Sequence, residues 1–233
     1  MASFTNATLT SFLKLLFDAT NWANVADNTV TSPATNLYVS LHNADPGETG
    51  SQTTSETAYT NYTRTAVART TGGWTVSGSN PEQVTNAATI SFPQCGATGD
   101  TLTYWGLGLS STGAGTLLAS GPIGPGTAYG FTCTSASPGS LTVPGSSLAT
   151  NSRCMLYALG PALTLPTGFT EGTVYYVGTA SGIALSLSTT AANANPVNTS
   201  SVGAGILIPV SPLVVAQNIT PSFAAGALVM YTD

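Results

Sequence analysis

A succession of short alternating runs dominates the chain: "LYVSLH", "YTRTAVAR", "GGWTVSG", "AATISFP", "TLTYWGLGLSS" and "GTLLASG". Successive side chains of a strand point to opposite faces, so a period of two marks a strand with one face buried. Gly, Pro and Asn separate the runs at intervals too short for long helices or for crossover connections. That spacing is typical of antiparallel sandwiches and barrels. The sequence therefore predicts an all-β chain of antiparallel strands, in a sandwich or a barrel.

One segment breaks the pattern. Residues 8–20, "TLTSFLKLLFDAT", place Leu9, Phe12, Leu13, Leu16 and Phe17 at helical spacing, with Thr8 as the N-cap. The spacing predicts one N-terminal helix. Its apolar face is broad, so it must be covered by its own domain or by another protein.

In "LYVSLHNADPGETG", Leu37, Val39 and Leu41 alternate with Tyr38, Ser40 and the only histidine, His42. The following Asp45-Pro46-Gly47 supplies a side-chain acceptor, a fixed φ and a permissive residue in turn order. A strand ending in a capped turn is expected. The alternative, a calcium site from Asp45, Glu48 and Glu56, has the right oxygen chemistry, but the spacing matches no EF-hand loop.

From residue 124 the texture changes, and residues 124–211 carry two charges, Arg153 and Glu171. The chain then resumes with "PLVVAQNITPSFAAGALVMYTD", which reads as a closing hairpin. A small β domain, 124–211, is expected to be inserted into a body made of 1–123 and 212–233. Exposed loop tips accept such insertions best.

Charge limits function. Charged residues make up 6% of the chain, against about 25% in an ordinary domain. The four basic residues, Lys14, Arg64, Arg69 and Arg153, are too few for the cationic surface that phosphate backbones require. Direct nucleic-acid binding is not expected. The start lacks the basic n-region of a signal peptide, and no stretch approaches the roughly 20 apolar residues of a membrane helix. A soluble product made in the cytoplasm is expected, without membrane contact. Cys95, Cys133 and Cys154 are odd in number and lack CxxC spacing, which suits free buried thiols better than a Cys133–Cys154 bridge.

Catalysis finds little purchase. A Ser or Cys nucleophile needs an adjacent base, and His42 accompanies no Gly-x-Ser-x-Gly elbow. A glycosidase needs two facing carboxylates, yet Asp45, Glu48 and Glu56 cluster in a turn. The glycines of "GLGLSS" and "GAG" lack the helix and lysine of a phosphate loop. No enzyme, cofactor or metal is expected.

The stretch "LYVSLHNADPGETGSQTTSETAYTNYTRTAVAR", followed by "GGWTVSG", "ATISFP" and "NITPSFAAGALVMYTD", resembles a family of tailed-bacteriophage virion proteins described as capsid decoration (cement) or fibre-like proteins. The resemblance runs over roughly 8–122 and 212–233. "LPTGFTEGTVYYVGTASGIALSLSTTAANANPVNTSSVGAG" is similar to a small β module spliced into phage surface proteins. The resemblance implies a β-sandwich or jelly-roll body on a virion with an extra module projecting outward, and no catalytic residue.

The leading expectation is a cement protein on the outer surface of the assembled phage head. It would bind the major capsid protein as a homodimer or homotrimer and stabilise the shell by linkage. The alternative is a tail-fibre or receptor-binding protein. Candidate shell or self-contact residues are Phe4, Phe12, Leu16, Phe17 and Trp22, with Asp45, Glu48 and Glu56 from the polar loop. Tyr175 and Tyr176 offer a weak carbohydrate contact, although "TVYYV" cannot point both rings one way.

Overall fold

The structure, a computed structural model, describes residues 3–5, 7–8, 11, 21–23, 25, 34–77, 83–158 and 164–231. The chain divides into two compact units, Met1–Ile123 with Pro212–Asp233, and Gly124–Ser211. The described strands are all β and all their pairings are antiparallel.

The first unit starts with β1 (Ser3–Phe4), β2 (Asn36–His42), β3 (Thr65–Ala68), β4 (Trp74–Ser77) and β5 (Gln83–Asn86). It continues through β6 (Ile90–Ser91), β7 (Asp100–Leu102), β8 (Tyr104–Gly108) and β9 (Leu117–Pro122). Its main sheet has five strands in the order β1-β9-β8-β2-β3. Strand β2 lies inside it because its alternation is matched on both sides: Leu41 faces Trp105 in β8, and Leu37 faces Val67 in β3. Val39 and Leu41 are fully buried among Trp74, Ile90, Phe92 and Phe223.

The second unit holds β10 (Tyr129–Thr134), β11 (Ser140–Thr142), β12 (Arg153–Tyr157), β13 (Tyr175–Ser181), β14 (Ala184–Ser188) and β15 (Gly203–Pro209). These six strands close into a barrel in the order β10-β11-β14-β13-β12-β15. Closure leaves no edge strand to pair with another chain, which suits a unit so poor in charge. Phe131, Leu141, Leu156, Val177, Leu187 and Leu207 fill the interior. The chain enters and leaves side by side, with Gly126 N–H donating to Pro209 O at 2.7 Å and Ser211 N–H to Gly124 O at 3.0 Å. Adjacent ends are what a whole unit needs to sit within a single connection.

The first unit then closes with β16 (Leu213–Val215), β17 (Ser222–Phe223) and β18 (Val229–Tyr231). They join β7, β6 and β5 respectively, the last making a three-stranded sheet with β4. Among the described residues the body is one five-stranded sheet with three smaller ones, and the paired, equal sheets of a jelly roll are not seen there. The expected helix over 8–20 lies outside the described residues except for Thr8 and Ser11. The bond expected of Thr8 is made by Thr5, whose hydroxyl accepts the Thr8 N–H at 3.3 Å. Thr8 instead donates its own hydroxyl to Leu118 O at 2.7 Å, because β9 runs close enough to take it.

Candidate functional site

Strand β2 delivers its last residues into a buried polar cluster at one end of the five-stranded sheet. His42 is fully buried, with Nδ1 2.8 Å from Thr54 O and Nε2 2.8 Å from Ser40 Oγ. A carbonyl only accepts, so Nδ1 carries the proton and Nε2 accepts from the serine hydroxyl. Burial holds the His42 pKa below its ordinary value, against the opposing pull of the Thr54 carbonyl and the Glu56 carboxylate. The ring is neutral, sealed and fully engaged. It positions the chain and has no face to offer a substrate.

Ten residues beyond His42, the loop is fixed a second time. Gln52 is fully buried, and its Oε1 accepts the Ser110 N–H at 2.9 Å while its backbone N–H donates to Gly115 O at 3.0 Å. This is why the opposing strand carries glycines: a Cβ on Gly108 would overlap the Gln52 side chain, and one on Gly106 would sit 2.5 Å from His42 Nε2.

The third tie is ionic. Arg64 donates Nε to Glu56 Oε1 at 2.7 Å and Nη2 to Glu56 Oε2 at 2.8 Å. The same guanidinium reaches Ser110 O at 2.9 Å and Gly113 O at 2.7 Å. The hydrogen bonds to Glu56 push the Arg64 pKa up despite burial. Tyr62 completes the set, donating its hydroxyl to Glu56 Oε1 at 2.9 Å and accepting the Leu41 N–H at 3.0 Å. Burial, above all, drives its phenol pKa well above the usual range.

These ties lock together two surface loops, residues 43–56 and 109–116. Asp45 makes the expected turn, its Oδ1 accepting the Gly47 N–H at 2.8 Å, with Gly47 at φ 68°. Asn43, Ala44, Glu48 and Thr49 are exposed on the first loop, and Ser111, Thr112, Gly113 and Ala114 on the second. The result is a nearly uncharged double-loop surface tied from beneath by buried hydrogen bonds and one ion pair.

The candidate contact residues separate accordingly. Glu48 faces solvent and Asp45 shapes the turn beneath it, whereas the Glu56 carboxylate is turned inward and fully engaged by Arg64 and Tyr62. Phe4 lies in β1 opposite Ala119, and Trp22 is half-buried, its carbonyl accepting the Val25 N–H at 3.0 Å. Phe12, Leu16 and Phe17 lie outside the described residues. Sequence reasoning missed Arg64, Gln52 and Tyr62. The one available signal was an arginine amid threonines in a chain with four basic residues, where a charge near a strand calls for a partner.

Residues 15–129 match the model of the family described as podophage GP4 fiber I protein gp80. Over that stretch the chain is similar to a phage fibre family. The match supports a phage virion protein of fibre-like type, and it takes in the whole double-loop surface while leaving nearly all of the barrel outside it. No curated protein matches the chain.

In the barrel, strand alternation separates the two tyrosines. Tyr175 points inward, packed edge-on against Phe169 with centroids 5.2 Å apart, its hydroxyl accepting the Thr170 N–H at 2.8 Å. Tyr176 points outward, half-buried, beneath the Arg153 guanidinium at 5.5 Å from the ring centroid. Of the pair, only Tyr176 is placed to meet a ligand. Cys95, Cys133 and Cys154 are free and buried.

Proposed function

We propose that this protein is a non-catalytic fibre component of a phage virion that takes part in contact with the host surface. The body attaches it to the particle and the inserted barrel is displayed outward. The observation that carries the reading is the fibre-family match over the segment that builds the double-loop surface. The geometry is consistent with it, because the buried polar groups there hold loops in place and leave no reactive group open. Few charges also make contacts insensitive to salt, an advantage for a particle that meets varied media. The attachment is homo-oligomeric, since symmetric copies turn a weak contact into avidity. The barrel's outer face at Tyr176 and Arg153 supplies a weak carbohydrate contact.

Copy number and position on purified particles test the reading, by gel stoichiometry against the major capsid protein and by cryo-electron microscopy. A small number of copies at the tail is expected. Hundreds of symmetric copies on the head would overturn it in favour of capsid decoration.

A further inference from the structure

Strand β3 is an edge of the five-stranded sheet, and beside it runs a surface cleft of about 240 Å³. Thr65–Ala68 form one wall and Ala88–Ser91 the other, with Gly72 and Gly73 at one end. The Thr65 hydroxyl, donating to Ser91 O at 3.1 Å, ties the two walls together.

Both walls turn main-chain groups toward the gap. The Arg69 N–H donates to Thr35 O, so the odd-numbered residues of β3 face β2 while Ala66 and Ala68 face away from it. The Ala68 carbonyl is taken by the Thr70 N–H; the Ala66 N–H and C=O and the Ala68 N–H have no partner among the described residues. Opposite, Phe92 N–H donates to Pro221 O, so Phe92 faces β17 and Ser91 faces away. Val67 and Ile90, both packed on the body core, lie between the exposed Ala66, Ala68, Thr89 and Ser91.

Natural edges are normally blunted by lysine, proline, a bulge or a cover. This one carries alanines, and the arginines flanking it are engaged elsewhere: Arg64 with Glu56, Arg69 with Ala34 O and Val25 O. Among the described residues, no charged one lines the cleft.

We propose that the cleft is a strand-addition site for an extended, uncharged segment of a partner protein. The segment's main chain bonds the β3 edge and the Ser91 wall, and one apolar side chain points down onto Val67 and Ile90. The walls Thr65–Ala68 and Ala88–Ser91 match an extended segment of about four residues in length. The absence of charge selects against acidic and basic peptides, whose desolvation nothing here would offset. The inference does not depend on whether the protein sits on the tail or the head.

The test is a titration of the isotope-labelled full chain with the blocked peptide acetyl-Thr-Val-Thr-Ala-amide, followed by amide NMR. Saturable shifts at Ala66, Ala68, Thr89 and Ser91 are expected. Ala66→Pro removes an N–H that faces the cleft and breaks no ladder bond, so it should weaken binding about tenfold with the fold kept. The same peptide with N-methylated main-chain nitrogens keeps every side chain, needs no protein variant, and should bind at least as poorly. No saturable shift at these four amides, or equal binding by the N-methylated peptide, would overturn the proposal. Concentration-dependent shifts at the same amides without peptide would overturn the partner assignment in favour of a second copy of this chain.

Discussion

Arg64 and Glu56, eight residues apart in sequence, meet as a two-pronged ion pair with N–O distances of 2.7 and 2.8 Å. The arginine side chain is 3% exposed and the glutamate 15%, so the pair sits largely out of water. Removing one member leaves the other charge buried without a counterion. Such losses cost about 3 kcal/mol or more. Glu56→Ala is therefore expected to lower the urea midpoint sharply and to release the 109–116 loop, read as increased amide exchange at Ser110 and Gly115, whose N–H groups donate to Gln52 Oε1 and Gly113 O. Glu48→Ala, on the exposed turn, should change stability by about 0.5 kcal/mol or less.

His42 sets a pH dependence of definite sign. Its folded pKa lies below the unfolded value of 6.5 because burial disfavours the imidazolium. Below pH 6.5 the unfolded chain therefore binds a proton that the folded chain refuses. The stabilisation is complete above pH 6.5 and is lost as pH falls toward the depressed folded value, at up to about 1.4 kcal/mol per unit. The nearby Glu56, Arg64 and Asp45 charges modulate that window. Denaturant titrations between pH 7.5 and 5 should show the decline in the native chain and a flatter profile in His42→Gln; identical profiles would refute the assignment.

The alternation of Leu37, Val39 and Leu41 made β2 legible from sequence, and Asp45-Pro46-Gly47 made its turn legible, because both signals are local. Glu56 shows where locality ends. Its sequence neighbours suggested an exposed loop carboxylate, but what decides its role is Arg64, brought alongside by the return of the chain into β3. The barrel was legible as strands and as a separate compositional segment, not as a closed ring. Closure depends on β10 pairing with β15, Tyr129 opposite Leu207, and periodicity names a strand's faces without naming its neighbours.

The glycines of β8 make a coupling test. Gly108 is buried in mid-sheet, where a methyl group would overlap Gln52. Gly108→Ala should destabilise by about 1–3 kcal/mol through overpacking. Truncating the obstacle in Gln52→Ala also destabilises, by freeing the Ser110 N–H. In the double variant the clash is gone, so its total cost should fall short of the sum of the two single costs by about 1 kcal/mol or more. Simple additivity in a double-mutant cycle would show that the two residues do not share the site.

Cys133 and Cys154 report on the barrel, and Cys95 on the body. Cys154 is fully buried and burial pushes its thiol pKa up to about 12, so the thiolate that reacts with disulfide reagents is scarce as well as inaccessible. Cys133 is raised for the same main reason. In native buffer the thiols should stay silent toward a chromogenic disulfide, and Cys154 should react at the rate at which the barrel opens.

Tyr175 and Tyr176 allow the display role to be separated from folding. Tyr175→Ala removes an interior ring packed on Phe169 and should cost about 3–5 kcal/mol, exposing Cys154 to reagent as the barrel loosens. Tyr176→Ala removes an outward ring and its contact with Arg153, worth about 0.5–1 kcal/mol at an exposed site. If the outer face of β12 and β13 meets a glycan, Tyr176→Ala weakens adsorption to host cells while leaving stability and thiol protection nearly intact. Adsorption unchanged in Tyr176→Ala but lost in Tyr175→Ala would mean that the barrel's contribution is architectural, and that the contact lies on another surface.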